Sequence, residues 1–161
     1  MTTERATYNV RAVPYDDPAA RELRAAMTEE MGRRYGDRFT GPGNRTGAVT
    51  VEPGSVVFTG VAFDADLAVG HVLLRRLGEE IEIKRMFVVP SHRGRGVARD
   101  LLAAAERAAR ELGAARVILH TGDRQPEAVR VYEREGYTRI PIYPPYTSMT
   151  YSTCFEKPLT P

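Results

Sequence analysis

Arg93-Gly94-Arg95-Gly96 is preceded by the β-rich run Glu82–Val89 and followed by Val97-Ala98-Arg99 and an amphipathic stretch. A glycine-rich loop between strand and helix turns several backbone N–H groups, and the positive end of the helix dipole, toward one point. That is a receptor for phosphate or pyrophosphate. Arg93, Arg95 and Arg99 add positive charge, as ligands or as a solvated rim. The pattern is not a Walker loop, which ends Gly-Lys-Ser/Thr. Nor does it complete G-x-G-x-x-G, because Arg99 stands at the third glycine, and a dinucleotide loop opens a parallel βαβ unit rather than following a meander.

Little else in the chain has spacing that does chemistry. Three scattered histidines and one cysteine give no metal-ligand pattern, so no metal is expected. Ser91-His92 has no third member in the sequence, which argues against a hydrolase triad. His71 and His92 read as structural or surface residues. Cys154 cannot form an internal disulfide and reads as a small core residue, which suits a reducing cytoplasm.

These residues need a scaffold. The 161 residues fit a single domain, 1–161, and 42% hydrophobic with 27% charged residues allows a real core. A net charge of +2 makes nucleic acid an unlikely partner, the chain has no apolar run of membrane length, and Met1–Thr7 lacks the apolar core of a secretory signal. Thr7–Val13 reads as a weak first strand. Pro18 to about Tyr35 reads as a helix, from Leu23, Met27 and Met31 at every fourth position. Gly36–Pro53 is rich in glycine and reads as a loop. Ser55–Phe63, Leu67–Leu77 and Glu80–Val89 read as an antiparallel meander. Gly96–Leu112 is amphipathic and stops at Gly113. Ala115–His120 is a strand, Gln125–Glu135 a helix ending at Gly136, and Tyr137–Ile140 and Ser152–Lys157 two last strands. The order predicts an α/β (α+β) fold with a mixed, mostly antiparallel sheet of about six to seven strands, flanked by helices on both faces.

Two blocks resemble the GCN5-related N-acetyltransferase (GNAT) family. Arg93, Gly96 and Ala98 match that family's Arg/Gln-x-x-Gly-x-Gly/Ala, between a strand and a helix. About 30 residues on, Gln125-Pro-Glu-Ala128-Val-Arg-Val-Tyr132-Glu-Arg-Glu-Gly136-Tyr137 is similar to Asn-x-x-Ala-x-x-x-Tyr-x-x-x-Gly-Phe/Tyr, with Gln125 in place of the asparagine. The resemblance covers roughly residues 80–140, and the element order agrees over most of the chain.

The resemblance implies an enzyme that uses acetyl-CoA as acyl donor. It places Gly94, Arg95, Gly96, Val97, Ala98, Arg93 and Arg99 at the pyrophosphate, and Gln125 at the CoA arm. Met86, Phe87 and Val88 pair with the pantetheine as a strand would, and a backbone N–H near Val88 meets the thioester carbonyl. Tyr132 is the implied acid for the departing thiolate. Glu82 and His120 are alternative bases, and a water relay is a third choice. A base matters because a free alkylamine is only about 0.1% neutral at pH 7. The implied acceptor lies between Met27–Phe39 and Pro141–Met149, where Glu29, Glu30 and Asp37 would draw an amine cation and Tyr35, Tyr143 and Tyr146 would line a pocket. A small-molecule amine is the expected partner. Protein N-terminal or lysine acetylation, a non-catalytic CoA-binding module, and acetylation of charged tRNA are alternatives. Family members are often dimers, so a homodimer is a further expectation.

Overall fold

The computed structural model describes residues 8–36 and 51–160. Most of the loop expected over Gly36–Pro53, including Asp37 and Phe39, lies outside the described residues. The elements are β1 (Asn9–Ala12), α1 (Pro18–Tyr35), β2 (Val56–Asp64), β3 (Leu67–Leu77), β4 (Glu80–Val88), α2 (Val97–Glu111), β5 (Arg116–Gly122), α3 (Pro126–Arg134), β6 (Thr138–Ile140) and β7 (Ser152–Pro158). Asp17 starts α1 by accepting the N–H groups of Ala19 and Ala20. Gly113, at φ 80°, takes the left-handed conformation that ends α2.

The strands form a seven-stranded sheet in the order β1-β2-β3-β4-β5-β7-β6. Neighbours are antiparallel except β4 and β5, which run parallel because α2 crosses between them. Val61 and Ala62 are successive on β2, yet Val61 packs with Ala20 and Leu23 of α1 while Ala62 packs with Leu101 and Ala105 of α2. Successive side chains leave a strand on opposite faces, so α1 and α2 cover opposite faces of the sheet. The α2 face is apolar: Val72, Leu74, Ile81, Ile83, Val117, Leu119 and Phe155 form its core, joined by Tyr132 of α3. The alternate residues His71, Arg75, Glu82, Lys84, His120 and Cys154 fall on the α1 face.

Two irregularities in β4 shape the site. Leu73 is opposite Lys84 but His71 is opposite Phe87, so β4 takes one residue more than β3 over this step. The extra residue is accommodated with Arg85 in the left-handed region, at φ 56°. Beyond this bulge β4 leaves β5: the strands pair at Glu82–Ile118 and Ile83–Leu119, although β4 runs on to Val88 and β5 to Gly122.

Candidate active site

The bulge is pinned from α1. His71 is fully buried; its Nδ1 donates to the Arg85 carbonyl at 2.8 Å, and its Nε2 accepts from Arg24 at 3.0 Å. That arrangement needs an uncharged ring, and burial lowers the His71 pKa to about 4, with Arg24 and Arg85 lowering it further. Past the bulge, the Val89 N–H bonds the Val69 carbonyl of β3. Backbone groups alternate along a strand, so the N–H and C=O of Val88 face the gap. The Val88 carbonyl accepts from Arg93 Nε at 2.9 Å.

The gap opens into a cavity of about 230 Å³. Met86, Phe87 and Val88 form one wall. Arg93, Gly94, Gly96, Val97, Ala98 and Arg99 form the second, and Gln125, Ala128, Val131 and Tyr132 the third. Met27, Glu30 and Met31 of α1 complete it. Gly96 sits at the cap of α2 with φ 91°, and no side chain caps that helix. Its first N–H groups therefore point into the cavity mouth, beside Arg93 and Arg99, as an anion receptor. Tyr132 is buried against Tyr137 and Phe155. Burial pushes its phenol pKa well above the ordinary value, and among the described residues its hydroxyl has no hydrogen-bond partner.

The sequence-predicted residues thus divide into two groups. Tyr132 and ten of the loop, strand and helix positions line one cavity; Arg95 is exposed and lines none of it. Glu82 and His120 lie outside, on the α1 face, at the floor of the gap. Glu82 is fully buried. Its Oε1 accepts from Arg75 Nε at 2.6 Å and its Oε2 from the Tyr143 hydroxyl at 2.6 Å. His120 stacks on the Tyr146 ring with centroids 3.9 Å apart, and its Nε2 lies 2.7 Å from Ser152 Oγ. Burial, then Lys84 and Arg75, lower its pKa to about 3, so it is uncharged at neutral pH. The Tyr146 hydroxyl takes hydrogen bonds from Lys84 Nζ at 2.8 Å and Arg75 Nη2 at 3.1 Å. Lys84 is itself lowered to about 8, chiefly by burial, with Arg75 and Arg85 contributing.

Several expectations are corrected. Glu30 does not stand ready for an amine: it holds Arg93 Nη2 through both oxygens, at 2.7 and 2.9 Å. Glu29 pairs with Arg33 in solvent. Tyr35 is buried, and its hydroxyl accepts from the Arg124 N–H at 2.9 Å and Gln125 Nε2 at 3.3 Å, locking the end of α1 to the β5–α3 turn. His92 does have a third partner. Asp64 Oδ2 lies 2.8 Å from its Nε2 and Ser91 Oγ 2.8 Å from its Nδ1, because the β2–β3 turn folds beside the loop. The trio ties that turn to the start of the phosphate loop.

Sequence reasoning missed Arg24, Arg75, Lys84 and Arg85. One pairing was available: Leu77 and Glu80 flank a two-residue turn, and counting outward puts Arg75 opposite Glu82, as observed. The bulge has no such signal.

The model of the Acetyltransferase (GNAT) family matches residues 19–137. The chain belongs to that family. A relative named IAA acetyltransferase, from Azospirillum brasilense, is 34% identical over 90 residues, which are 56% of this chain and 59% of the relative. The match thus spans little more than half of that protein. A solved structure named as an acyl-CoA N-acyltransferase from Klebsiella pneumoniae superposes with a TM-score of 0.77 at 26% identity, over 95% of this chain and 98% of that one. A Bacillus subtilis acetyltransferase solved with CoA shares the fold, with a TM-score of 0.68 at 15% identity over 96% and 100% of the two chains. Among the described residues, no helix is long and apolar enough to cross a membrane.

Proposed function

We propose that the protein transfers an acetyl group from acetyl-CoA to the primary amine of a small molecule. One observation carries this reading: the uncapped start of α2, the stretch of β4 that β5 leaves unpaired and Tyr132 all line a single cavity. The fit to acetyl-CoA is chemical. Loop amides and arginines suit a pyrophosphate, an exposed strand edge suits an amide-bearing arm, and the apolar walls at Met86 and Val131 suit its methylenes. Bound acetyl-CoA would supply a thioester; attack by a neutral amine would form the C–N bond and break the C–S bond, and the proton lost from nitrogen would balance the one gained by sulfur, leaving an amide and a thiol.

The chain's own residues then have distinct tasks. The Val88 N–H is aimed into the gap as a donor for developing negative charge on a carbonyl oxygen. Tyr132, protonated throughout the working range, donates to the departing sulfur. Glu82 is committed through both oxygens to Arg75 and Tyr143, so it holds the Pro141–Tyr151 segment over the α1 face rather than accepting the amine's proton. Burial at the gap does part of a base's task, because it disfavours the charged form of an amine, as it does for Lys84. A water relay carries off the ammonium's proton, and His120, with its pKa at about 3, stays uncharged beside Lys84. Tyr143 and Tyr146 cover this face, which favours a small acceptor over a protein tail, and the Azospirillum relative's name points the same way.

Thermal unfolding with acetyl-CoA, CoA and ATP at about 1 mM each tests the donor. A rise in Tm with both CoA forms but not ATP is expected. No rise with acetyl-CoA would refute the reading.

A further inference from the structure

The arginines at the mouth of the cavity already hold carboxylates. Arg93 spends its guanidinium on two partners: Nε donates to the Val88 carbonyl at 2.9 Å, and Nη2 donates to both oxygens of Glu30, at 2.7 and 2.9 Å. Arg99 Nε and Nη2 lie 3.3 and 3.2 Å from Asp100 Oδ1. Glu30 belongs to the cavity: it lines the same space as Arg93, and only 14% of its side chain is exposed. Arg34, one turn further along α1, lies 3.7 Å from the second Glu30 oxygen and also pairs with Glu127 of α3. Burial works against the Glu127 carboxylate, but a backbone hydrogen bond, Arg34 and Arg93 hold its pKa below the ordinary value. Alternating charges thus join the loop, α1 and α3 across the cavity.

Both partners of Arg93 are groups that a CoA molecule contests. A carboxylate beside the first N–H groups of α2 puts negative charge where a diphosphate brings more, and like charges repel strongly in a site partly withdrawn from water. The Val88 carbonyl is the acceptor that an amide of the pantetheine arm uses when it pairs with β4 as a strand does. The guanidinium carbon of Arg93 lies 5.7 Å from the Phe87 ring centre, so the side chain runs back along β4. The Nε and Nη2 donors that hold Val88 and Glu30 serve a diphosphate only by leaving them.

Resting on the transferase reading above, we infer that Glu30 is an internal competitor of the cofactor: its carboxylate holds the place on Arg93 that the CoA diphosphate takes, and binding exchanges one anion for the other. The exchange also frees the Val88 carbonyl for the arm, so the two ends of the cofactor are admitted together. Glu30 therefore keeps the affinity for CoA below what the loop amides and arginines would give alone.

Calorimetric titration with CoA tests this on the wild type, on Glu30→Gln and, as a control on the same helix, on Glu29→Gln, whose partner Arg33 lies in solvent. Glu30→Gln should bind CoA at least about threefold more tightly, the fold-change expected when a partly exposed ion pair no longer has to be broken. Glu29→Gln should match the wild type. Dephospho-CoA, which keeps the diphosphate and lacks the 3′-phosphate, should show the same gain. In an Arg93→Gln background the gain from Glu30→Gln should fall below about 1.5-fold, because no arginine is left to exchange. If Glu30→Gln does not fold, Glu30→Asp, one methylene too short to hold Arg93 through both oxygens, should give a smaller gain of the same sign. Equal or weaker CoA binding by whichever variant folds would overturn the inference and make the pair a brace that prepares Arg93. So would a gain that persists without Arg93, or one that disappears with dephospho-CoA. Failure of the wild type to bind CoA at all would instead strike the transferase reading.

Discussion

Acidification should unfold this protein through two buried histidines. His71 and His120 have folded-state pKa values of about 4 and about 3, against 6.5 for the free ring. The unfolded chain therefore binds more protons between those values. The stability of the uncharged rings is fully present above about pH 6.5, declines as pH falls, and stops declining below about pH 3. At pH 5 the linkage amounts to roughly 2 kcal/mol for each ring, about 4 kcal/mol together. For a chain of this size that lowers Tm by roughly 8–16 °C relative to pH 8. The causes differ in geometry. A protonated His71 would aim an Nε2–H at the Arg24 guanidinium, whose hydrogen bond it now accepts at 3.0 Å. A protonated His120 would stand beside Lys84 and Arg75. Calorimetry from pH 8 to pH 4.5 at fixed ionic strength, on the wild type and on His71→Gln, His120→Gln and the double variant, isolates the effect from carboxylates common to all four. The double variant should lose most of the acid sensitivity. Parallel Tm profiles for wild type and double variant would refute the assignment of both rings as buried and uncharged.

Tyr132→Phe should leave stability within about 0.5 kcal/mol, since its hydroxyl has no partner among the described residues, yet lower kcat by about a hundredfold with the KM for acetyl-CoA unchanged; an unaltered kcat would remove Tyr132 as the acid. Gly70→Ala would place a Cβ 2.8 Å from Leu101 Cδ1 and 2.9 Å from Val97 Cγ1, pushing the start of α2 outward. Chemical denaturation should show a loss of about 1–3 kcal/mol, accompanied by a higher KM for acetyl-CoA. Glu82→Ala leaves Arg75 buried without its carboxylate and should cost about 3–5 kcal/mol in the same assay, whereas Glu82→Gln, which keeps the Tyr143 contact, should cost less. The acceptor kcat/KM should climb with pH as the amine loses its proton; a flat profile from pH 6 to 9 would contradict attack by an amine that is mostly protonated at pH 7.

The meander, the α2 amphipathic stripe and the stops at Gly113 and Gly136 were legible because each rests on local periodicity or on a residue type with one conformational use. The limits of β3 agree at both ends, Leu67 and Leu77. The cavity was legible in part, because its walls come from two short blocks whose residues are neighbours in sequence. The α1 face was not. Arg75, Glu82 and Lys84 alternate with apolar residues, the pattern of a strand with one solvated side. They are covered only because α1 and the Pro141–Tyr151 segment, distant in sequence, both fold onto that side. The bulge was hidden for a different reason. Glycine or asparagine usually marks a left-handed residue, and here it is an arginine, held by a carbonyl contact from His71 across the hairpin.

The gap between β4 and β5 also alters how this sheet presents itself to other chains. Its outer rims are β1, four residues long, and β6, three residues long, which are poor templates for a neighbouring molecule. A further stretch without a strand partner on one side lies inside the sheet instead: from Lys84 to Val88, β4 is not paired with β5, and α2, α3 and α1 screen it. On the proposed function, a thin extended ligand pairs there, where a neighbouring molecule's strand would meet the covering helices first. An inner edge of this kind offers strand-like pairing to a ligand while giving a neighbouring chain less to template on than an open rim of equal length.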